Sequence, residues 1–282
     1  MSRKNLSQVH HKMNPHKISI ITPVRNGDRF IESCILNVIQ QNCSWLEHII
    51  IDGGSTDKTI EIIKKYALNY PHIHWVSEQD NGQSDAMNKG IRLARGDIIG
   101  FLNVDDFYEP DVINKIVKLL EKLPVPSLVV GNCNIRTADG KIIRVNRPSR
   151  LSIVDLLVID GEQFPLNPSA YFYHKVLHEK IGYYRVDLEY HMDIDFLLRA
   201  VQNAHVHRIN EILGNYRWIG GAKTYELNKR GELAHGFKTL ISDYRKRLSI
   251  PRKICVYMRL SAKRLRKIKK KFNNKFMGSQ KL

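Results

Sequence analysis

Two adjacent carboxylates, Asp105 and Asp106, follow the apolar run at residues 98–102. Neighbouring carboxylates repel each other, so they require either a bound cation or good solvation. A divalent metal ion that bridges a diphosphate is one cation that suits such a pair. A solvated acidic turn before the next helix explains the spacing equally well. The pair is therefore a candidate metal site that spacing alone does not establish.

A third acidic residue, Asp52, ends the apolar run of the segment Ile-Ile-Ile-Asp-Gly-Gly-Ser-Thr-Asp at residues 49–57. A carboxylate there can accept hydrogen bonds from the N–H groups of a nucleobase or from ribose hydroxyls. The two glycines allow a backbone to approach a ligand closely. A capped tight turn between strand and helix is the alternative.

Asp193 and Asp195 begin an amphipathic segment that predicts a helix over residues 193–203. Either carboxylate can act as the general base that removes a proton from an attacking hydroxyl. Both can also be surface residues that the helix dipole favours in a first turn.

Predicted strands and helices alternate along the first half of the chain, and these elements position the acidic residues. Helical patterns separate short apolar runs at residues 18–21, 49–51, 73–76, 98–102 and 128–130. This order predicts a parallel sheet with helices on both faces. Ligands bind beyond the carboxyl ends of the strands in such sheets. Thr22, Asp52 and the Asp105–Asp106 pair all follow strands, so we expect them at one crevice.

The second half of the chain is less regular. Apolar spacing predicts helices over residues 152–158 and 171–179, and an extended segment over 208–218. Four histidines have spacings that metal sites also use, but no further ligand is evident, so we expect them on the surface: His174, His178, His205 and His207.

Four segments in order resemble glycosyltransferase family 2. They are Ile-Ser-Ile-Ile-Thr-Pro-Val-Arg-Asn-Gly, the segment around Asp52, Gly-Gln-Ser-Asp-Ala-Met-Asn-Lys-Gly-Ile, and Gly-Phe-Leu-Asn-Val-Asp-Asp. The resemblance is dense over residues 17–108 and sparser to residue 199. It implies an α/β fold of the GT-A (Rossmann-like) type, with a predominantly parallel sheet flanked by helices.

The resemblance also implies roles in binding a nucleotide-sugar donor. Asp52 matches the acid that contacts uracil or another base, and Thr22 matches the strand-end residue near that base. Asp85 lies in the segment that borders the nucleotide. Asp105 and Asp106 match the acidic pair that binds Mg²⁺ or Mn²⁺, the last acid being the usual direct ligand. A UDP-sugar is the expected donor.

The implied reaction is a single displacement with inversion at the anomeric carbon. Met-Asp-Ile-Asp-Phe-Leu-Leu-Arg at residues 192–199 looks like the family's acceptor-side acidic motif. Asp193 matches the catalytic base and Asp195 is the second candidate, since Met192 stands where many members carry Glu. Cell-envelope polysaccharide or lipid-linked glycan synthesis is the expected context.

Two other classes of protein remain alternatives. A nucleotidyltransferase also uses a metal and a nucleotide, but it usually carries a Gly-rich, Arg-containing loop after the first strand. Residues 22–28 do not form that loop. A non-catalytic scaffold that binds nucleotide sugars is the other alternative, and the presence of Asp52, Asp105, Asp106 and Asp193 argues against it.

The formal net charge of +17 is concentrated at one end of the chain. Residues 245–282 contain 15 Lys or Arg and no acidic residue, which leaves 30 basic and 28 acidic residues elsewhere. Apolar residues recur in this tail at helical spacing: Ile254, Tyr257, Met258, Leu265, Ile268 and Phe272. A basic amphipathic helix suits an anionic membrane surface. Nucleic acid binding is the weaker expectation because the body lacks a nucleic-acid motif, and a solvated tail is the alternative.

These patterns divide the chain into three expected parts. They are an N-terminal extension at residues 1–16, a GT-A domain at 17–225 and a helical basic extension at 226–282. Four scattered cysteines indicate free thiols, and residues 1–16 lack the apolar core of a secretory signal. We therefore expect a cytoplasmic protein, peripherally associated with the inner face of the membrane. The sequence does not predict an oligomeric state.

Overall fold

The computed structural model describes residues 17–158, 164–188, 190–220, 225–226 and 229–278. The expected N-terminal extension, residues 1–16, lies outside the described residues. Side chains are described as far as Lys269, apart from Lys267.

The first half of the chain builds a parallel sheet. Strands β1 (Ile18–Val24), β2 (Leu46–Asp52), β3 (Ile73–Ser77) and β4 (Ile98–Phe101) lie in the order β3-β2-β1-β4. All three pairings are parallel, and every residue of β1, β2 and β4 is buried. Continuous apolar runs suit strands that are covered on both faces. The predicted parallel arrangement of these strands is confirmed.

Helices cover both faces of this half. They are α1 (Asp28–Ile39), α2 (Thr59–Asn69), α3 (Gln83–Leu93) and α4 (Val112–Leu120). Side chains of α1 and α2 share one core cluster with Val24 and Ile50, whereas those of α3 pack with Ile21 on the opposite face. A Cβ atom at Gly90 of α3 would lie 2.3 Å from Cγ2 of Ile21, so this helix packs tightly on β1.

The second half extends the same sheet with mixed pairings. Its strands are β5 (Phe107–Tyr108), β6 (Ser127–Arg136), β7 (Ile142–Asn146), β8 (Tyr171–His174) and β9 (His205–Arg217). β8 joins β4 and β6 in antiparallel pairs, and β6 pairs with β9 in parallel. The full order is β3-β2-β1-β4-β8-β6-β9-β5, with β7 on β6.

Two predictions for this half were wrong. Residues 171–174 form β8, so the helix predicted over 171–179 is reduced to α6 (Leu177–Ile181). All four side chains of β8 are buried, because the strand lies between β4 and β6 and is covered on both faces. His174 and His178 are also buried, at 7% and 6% exposure, instead of lying on the surface. Each makes hydrogen bonds inside the fold, His174 with Ser127 and His178 with Tyr173.

The remaining helices are α5 (Ile153–Val158), α7 (Met192–Ala200), α8 (Glu232–Arg247) and α9 (Ile250–Gly278). Helix α9 lies against α5, with Val256 buried and Arg259 paired with Asp155. Arg245 of α8 donates from Nε to the carbonyl of Leu157 at 2.9 Å, which satisfies an unpaired carbonyl near the end of α5. No helix in the described ranges is long and apolar enough to cross a bilayer.

Candidate active site

An open cavity of about 740 Å³ lies at the carboxyl ends of the parallel strands. Its described walls come from the ends of β1 and β9, from the loops after β1, β3, β4 and β9, and from the first turns of α1 and α3. The residues are Pro23, Val24, Arg25, Asn26, Gly27, Arg29, Phe30, Asp80, Gly82, Gln83, Ala86, Asn103, Val104, Asp105, Tyr216, Ile219 and Gly220. The predicted crevice therefore exists where the strand order places it.

The loop after β1 is held in place by the loop after β2. The Asn26 N–H donates to Ser55 Oγ at 2.7 Å, and Asn26 Oδ1 accepts from the Thr56 N–H at 2.9 Å. The Gly27 N–H donates to Thr59 Oγ1 at 2.8 Å. These bonds satisfy backbone groups of both loops and fix the wall of the cavity that carries Asn26 and Gly27.

Asp52 shapes the turn that follows β2. Its carboxylate accepts hydrogen bonds from the N–H groups of Gly54 and Ser55 and from the hydroxyls of Ser55 and Ser77. The residue is fully buried, and Gly54 has φ +80°, a conformation that glycine adopts without strain. Asp52 is not among the described residues that line the cavity, so its contact with a nucleobase stays a prediction.

Asp80 presents the carboxylate that reaches the cavity beside this turn. A Cβ atom at Gly53 would lie 2.3 Å from Asp80 Oδ2, so the glycine leaves room for that carboxylate. Asp80 Oδ1 accepts from the Gly82 N–H at 2.9 Å. Asp80 was not among the residues predicted from the sequence. Its position in the loop after β3, three residues beyond Ser77, is the signal that could have identified it.

The two carboxylates after β4 have different surroundings. Asp105 lines the cavity, whereas Asp106 is only 2% exposed. Asp106 accepts hydrogen bonds from the Asn103 and Asn167 side-chain amides at 3.0 and 2.7 Å and from the Arg217 N–H at 3.1 Å. Burial raises the pKa of both carboxyls, and the charge of Asp105 adds to the effect on Asp106.

Positive charge also lies at this cavity. Arg25 and Arg29 are exposed residues of its wall. The guanidinium of Arg217 lies 5.8 Å from the ring centre of Phe30 and 5.0 Å from that of Phe107, and its charge lowers the pKa of Asp105 against the effect of burial. Two carboxylates, Asp80 and Asp105, and two arginines in the described lining of this open cavity suit an anionic ligand that carries a cation.

Two residues that were predicted to bind the sugar donor are engaged by other groups of the fold. Thr22 is fully buried and its hydroxyl makes a hydrogen bond with Nε2 of His48 at 2.9 Å. Asp85, in the first turn of α3, accepts from the Asn81 N–H at 3.1 Å and lies 3.5 Å from the Lys89 ammonium. Neither belongs to the described lining of the cavity.

Asp193 and Asp195 lie in the first turn of α7 and are not among the described residues that line the cavity. Asp193 is partly buried, and its Oδ1 accepts from the Ile194 N–H at 2.8 Å. Burial raises the pKa of Asp193 to about 6. Burial also raises the pKa of Tyr171, and the charge of Asp193 adds to that effect. Asp195 is buried and its Oδ2 lies 2.7 Å from Nη2 of Arg199.

Comparison with known proteins identifies the class. Residues 19–181 match the model of the family described as Glycosyl transferase family 2. Over 217 residues, the chain is 30% identical to a PGL/p-HBAD biosynthesis glycosyltransferase of Mycobacterium tuberculosis, covering 75% of this chain and 80% of the relative. The chain therefore belongs to glycosyltransferase family 2.

Shorter stretches match two Escherichia coli proteins. The uncharacterized glycosyltransferase YibD is 35% identical over 119 residues, and chondroitin synthase is 38% identical over 127 residues. These matches cover 42% and 45% of this chain but only 34% and 18% of the two relatives. The similarity to them is thus confined to part of each protein.

Solved structures confirm the predicted GT-A fold. S. aureus TarS 1–349 in complex with UDP-GlcNAc matches with a TM-score of 0.66 at 15% identity, over 86% of this chain and 71% of that chain. The mannosyltransferase PcManGT of Pyrobaculum calidifontis, in complex with GDP-Man and Mn²⁺, matches with a TM-score of 0.59 at 19% identity, over 86% and 68%.

Proposed function

We propose that the protein is an inverting, metal-dependent glycosyltransferase that moves a sugar from a nucleoside-diphosphate sugar to an acceptor hydroxyl. The observation that carries the proposal is the cavity at the strand ends, which combines Asp105 with arginine side chains in a member of this family. The nucleotide would lie between the loops after β1 and β3, where Asp80 can accept hydrogen bonds from the N–H groups of a base. A UDP-sugar is the proposed donor.

The residues present fit Mg²⁺ or Mn²⁺ bound together with a diphosphate. Asp105 supplies a carboxylate at the cavity, and oxygen is the ligand atom that these hard cations prefer. Within the described residues, no three His, Cys, Asp or Glu side chains gather into a cluster. The diphosphate and water would therefore complete the coordination. When bound, the cation offsets negative charge on the leaving diphosphate.

Asp106 is the residue that the family resemblance favours as the direct ligand. Its burial and its three hydrogen bonds favour a different division of roles, in which Asp105 contacts the cation and Asp106 holds the surrounding loops. Arginines 25 and 29 would contact the phosphate oxygens, since guanidinium groups bind phosphate through paired hydrogen bonds.

Asp193 is the proposed general base. A pKa of about 6 leaves its carboxylate ionised at neutral pH while keeping it a stronger base than an exposed aspartate. The acceptor oxygen would attack the anomeric carbon as its proton passes to Asp193. The bond from that carbon to the diphosphate oxygen breaks, and the nucleoside diphosphate leaves with the electron pair.

The proposal is tested by assaying transfer and hydrolysis over a panel of nucleotide sugars with Mn²⁺ or Mg²⁺. We expect one donor to release its nucleoside diphosphate only when metal is present, and expect Asp105→Asn to abolish that release. Pyrophosphate as the product would instead indicate a nucleotidyltransferase. Tight nucleotide-sugar binding without turnover under any condition would indicate a scaffold.

We further propose that helix α9 brings the enzyme to an anionic membrane at the cytoplasmic face, where the acceptor is a lipid-linked or cell-envelope glycan. The helix uses one side for packing and leaves an apolar stripe exposed on the other: Ile250, Ile254, Tyr257, Met258, Leu265 and Ile268. Their exposure is between 54% and 73%. The surrounding tail carries only basic charge, and each basic residue near such a surface adds about 1 kcal/mol.

Sedimentation of the full-length protein with lipid vesicles tests this partner. We expect binding to vesicles that contain phosphatidylglycerol, weaker binding to phosphatidylcholine alone, and a loss of binding in Leu265→Asp. Leu68→Asp is the matched control, because Leu68 is 87% exposed on α2. Equal sedimentation of the two variants would contradict the assignment.

A further inference from the structure

The carboxylate of Asp195 is held at the start of α7 by groups from the same helix. Its side chain is 2% exposed, and Oδ2 accepts from Nε of Arg199 at 2.8 Å and lies 2.7 Å from Nη2 of that residue. Arg199 also donates from Nη1 to the Ile181 carbonyl at 2.6 Å and from Nη2 to the Tyr183 carbonyl at 3.0 Å. The guanidinium therefore fixes the segment after α6 to α7.

The second oxygen of Asp195 is held from the C-terminal extension. The hydroxyl of Tyr244, on α8, donates to Oδ1 at 2.7 Å. Tyr244 packs against the main core cluster, and Ile241 one turn earlier is 3% exposed. Arg185 Nη1 also lies near this oxygen, at 3.9 Å. Both oxygens of Asp195 are thus engaged, which leaves Asp195 poorly placed to accept a proton from a substrate.

Asp193 belongs to the same first turn of α7, two residues before Asp195. A movement of Asp195 would shift the backbone that carries Asp193. Effective general-base catalysis requires a close, aligned approach to the acceptor hydroxyl, and a misplacement of about 1 Å can cost about 100-fold in rate.

We propose that Tyr244 is a positioning residue for glycosyl transfer: through Asp195 it fixes the first turn of α7 and so the general base Asp193. This inference rests on the proposed function of Asp193. It makes α8 part of the catalytic unit, although the sequence predicts α8 to lie in an extension after the GT-A domain expected at residues 17–225. Asp195 is then the link between α8 and the base.

The test compares Tyr244→Phe with Tyr66→Phe in the full-length protein. Tyr66 is the matched control because its hydroxyl also donates to a carboxylate, Glu32 Oε1 at 2.8 Å, but on α2. We expect Tyr244→Phe to lower kcat for transfer about tenfold, a fraction of the loss that a fully misplaced group causes. The Kd for donor and the KM for acceptor should stay unchanged. Tyr66→Phe should retain the wild-type kcat.

A double variant separates positioning from general damage to the fold. Once Asp193 is replaced by Asn there is no base to position, so adding Tyr244→Phe to Asp193→Asn should cause no further loss. If the double variant instead shows the product of the two single-variant losses in kcat, the inference is overturned. A wild-type kcat in Tyr244→Phe would also overturn it. If instead Asp193→Asn itself transfers sugar at the wild-type rate, the proposed base is wrong and the inference falls with it.

Discussion

Replacement of Asp193 by Asn should greatly slow transfer and yet stabilise the protein above neutral pH. Burial raises the pKa of this carboxyl from 3.8 to about 6, so the folded state disfavours its ionised form. A shift of this size corresponds to about 2 to 3 kcal/mol of unfolding free energy. Because the folded pKa is the higher one, that stability is present below pH 3.8 and is lost as pH rises through about 6. The neutral Asn variant escapes this loss.

Two assays measure these opposite effects. Urea unfolding at pH 8 should give Asp193→Asn a free energy of unfolding about 2 to 3 kcal/mol above the wild type, and the difference should shrink as the pH falls below 6. Removal of a general base costs about 10² to 10⁴ in rate, so transfer by the variant should fall by that factor at pH 8. Donor affinity should be unchanged, since Asp193 is not among the described residues of the cavity wall.

The wild-type pH profile provides a second check on the same residue. The value of kcat/KM should fall below a pH of about 6, where Asp193 takes up its proton in the free enzyme. Asp193→Asn should lack that acidic limb. A variant that is less stable than the wild type at pH 8 and keeps more than a third of its activity would refute both the burial argument and the assigned role.

Two further predictions concern metal binding and packing. Asp105→Asn should weaken Mn²⁺ binding at least tenfold, as measured by calorimetry in the presence of UDP. Asp85→Asn should leave Mn²⁺ binding unchanged, because the Asp85 carboxylate lies near Lys89 and is not part of the described cavity wall. Gly90→Ala should lower the free energy of unfolding by about 1 to 3 kcal/mol through overpacking against β1. Gly220→Ala should not, because a Cβ at Gly220 would meet no atom of the described residues within 4 Å.

The first half of the fold was predictable because its signals are local. Each apolar run and the turn residues after it lie within a few positions, so β1, β2, β3 and β4 follow from the pattern. β8 was not predictable in the same way. A run of four apolar or aromatic residues fits a buried strand and a buried helix equally well, and pairing with β4 and β6 decided the outcome.

In the candidate site, too, the local features were predictable and the contacts between distant residues were not. The sequence placed Asp105 and Asp106 together, but it did not predict that one lines the cavity while the other is buried. Two of the three hydrogen-bond partners of Asp106 lie 61 and 111 residues further along the chain, at Asn167 and Arg217. The hydrogen bond between Asp195 and Tyr244 joins residues 49 positions apart, so local sequence patterns do not predict it either. Contacts of this kind depend on how the second half of the sheet closes against the first.

The proposed function requires one cavity to hold a nucleoside diphosphate together with its cation. Anomalous diffraction from crystals of the protein grown with UDP and Mn²⁺ shows where both ligands bind. We expect a manganese peak within coordinating distance of the Asp105 carboxylate, with the base beside Asp80 and Gly53. A nucleotide bound elsewhere on the protein, or a manganese ion remote from Asp105, would contradict it.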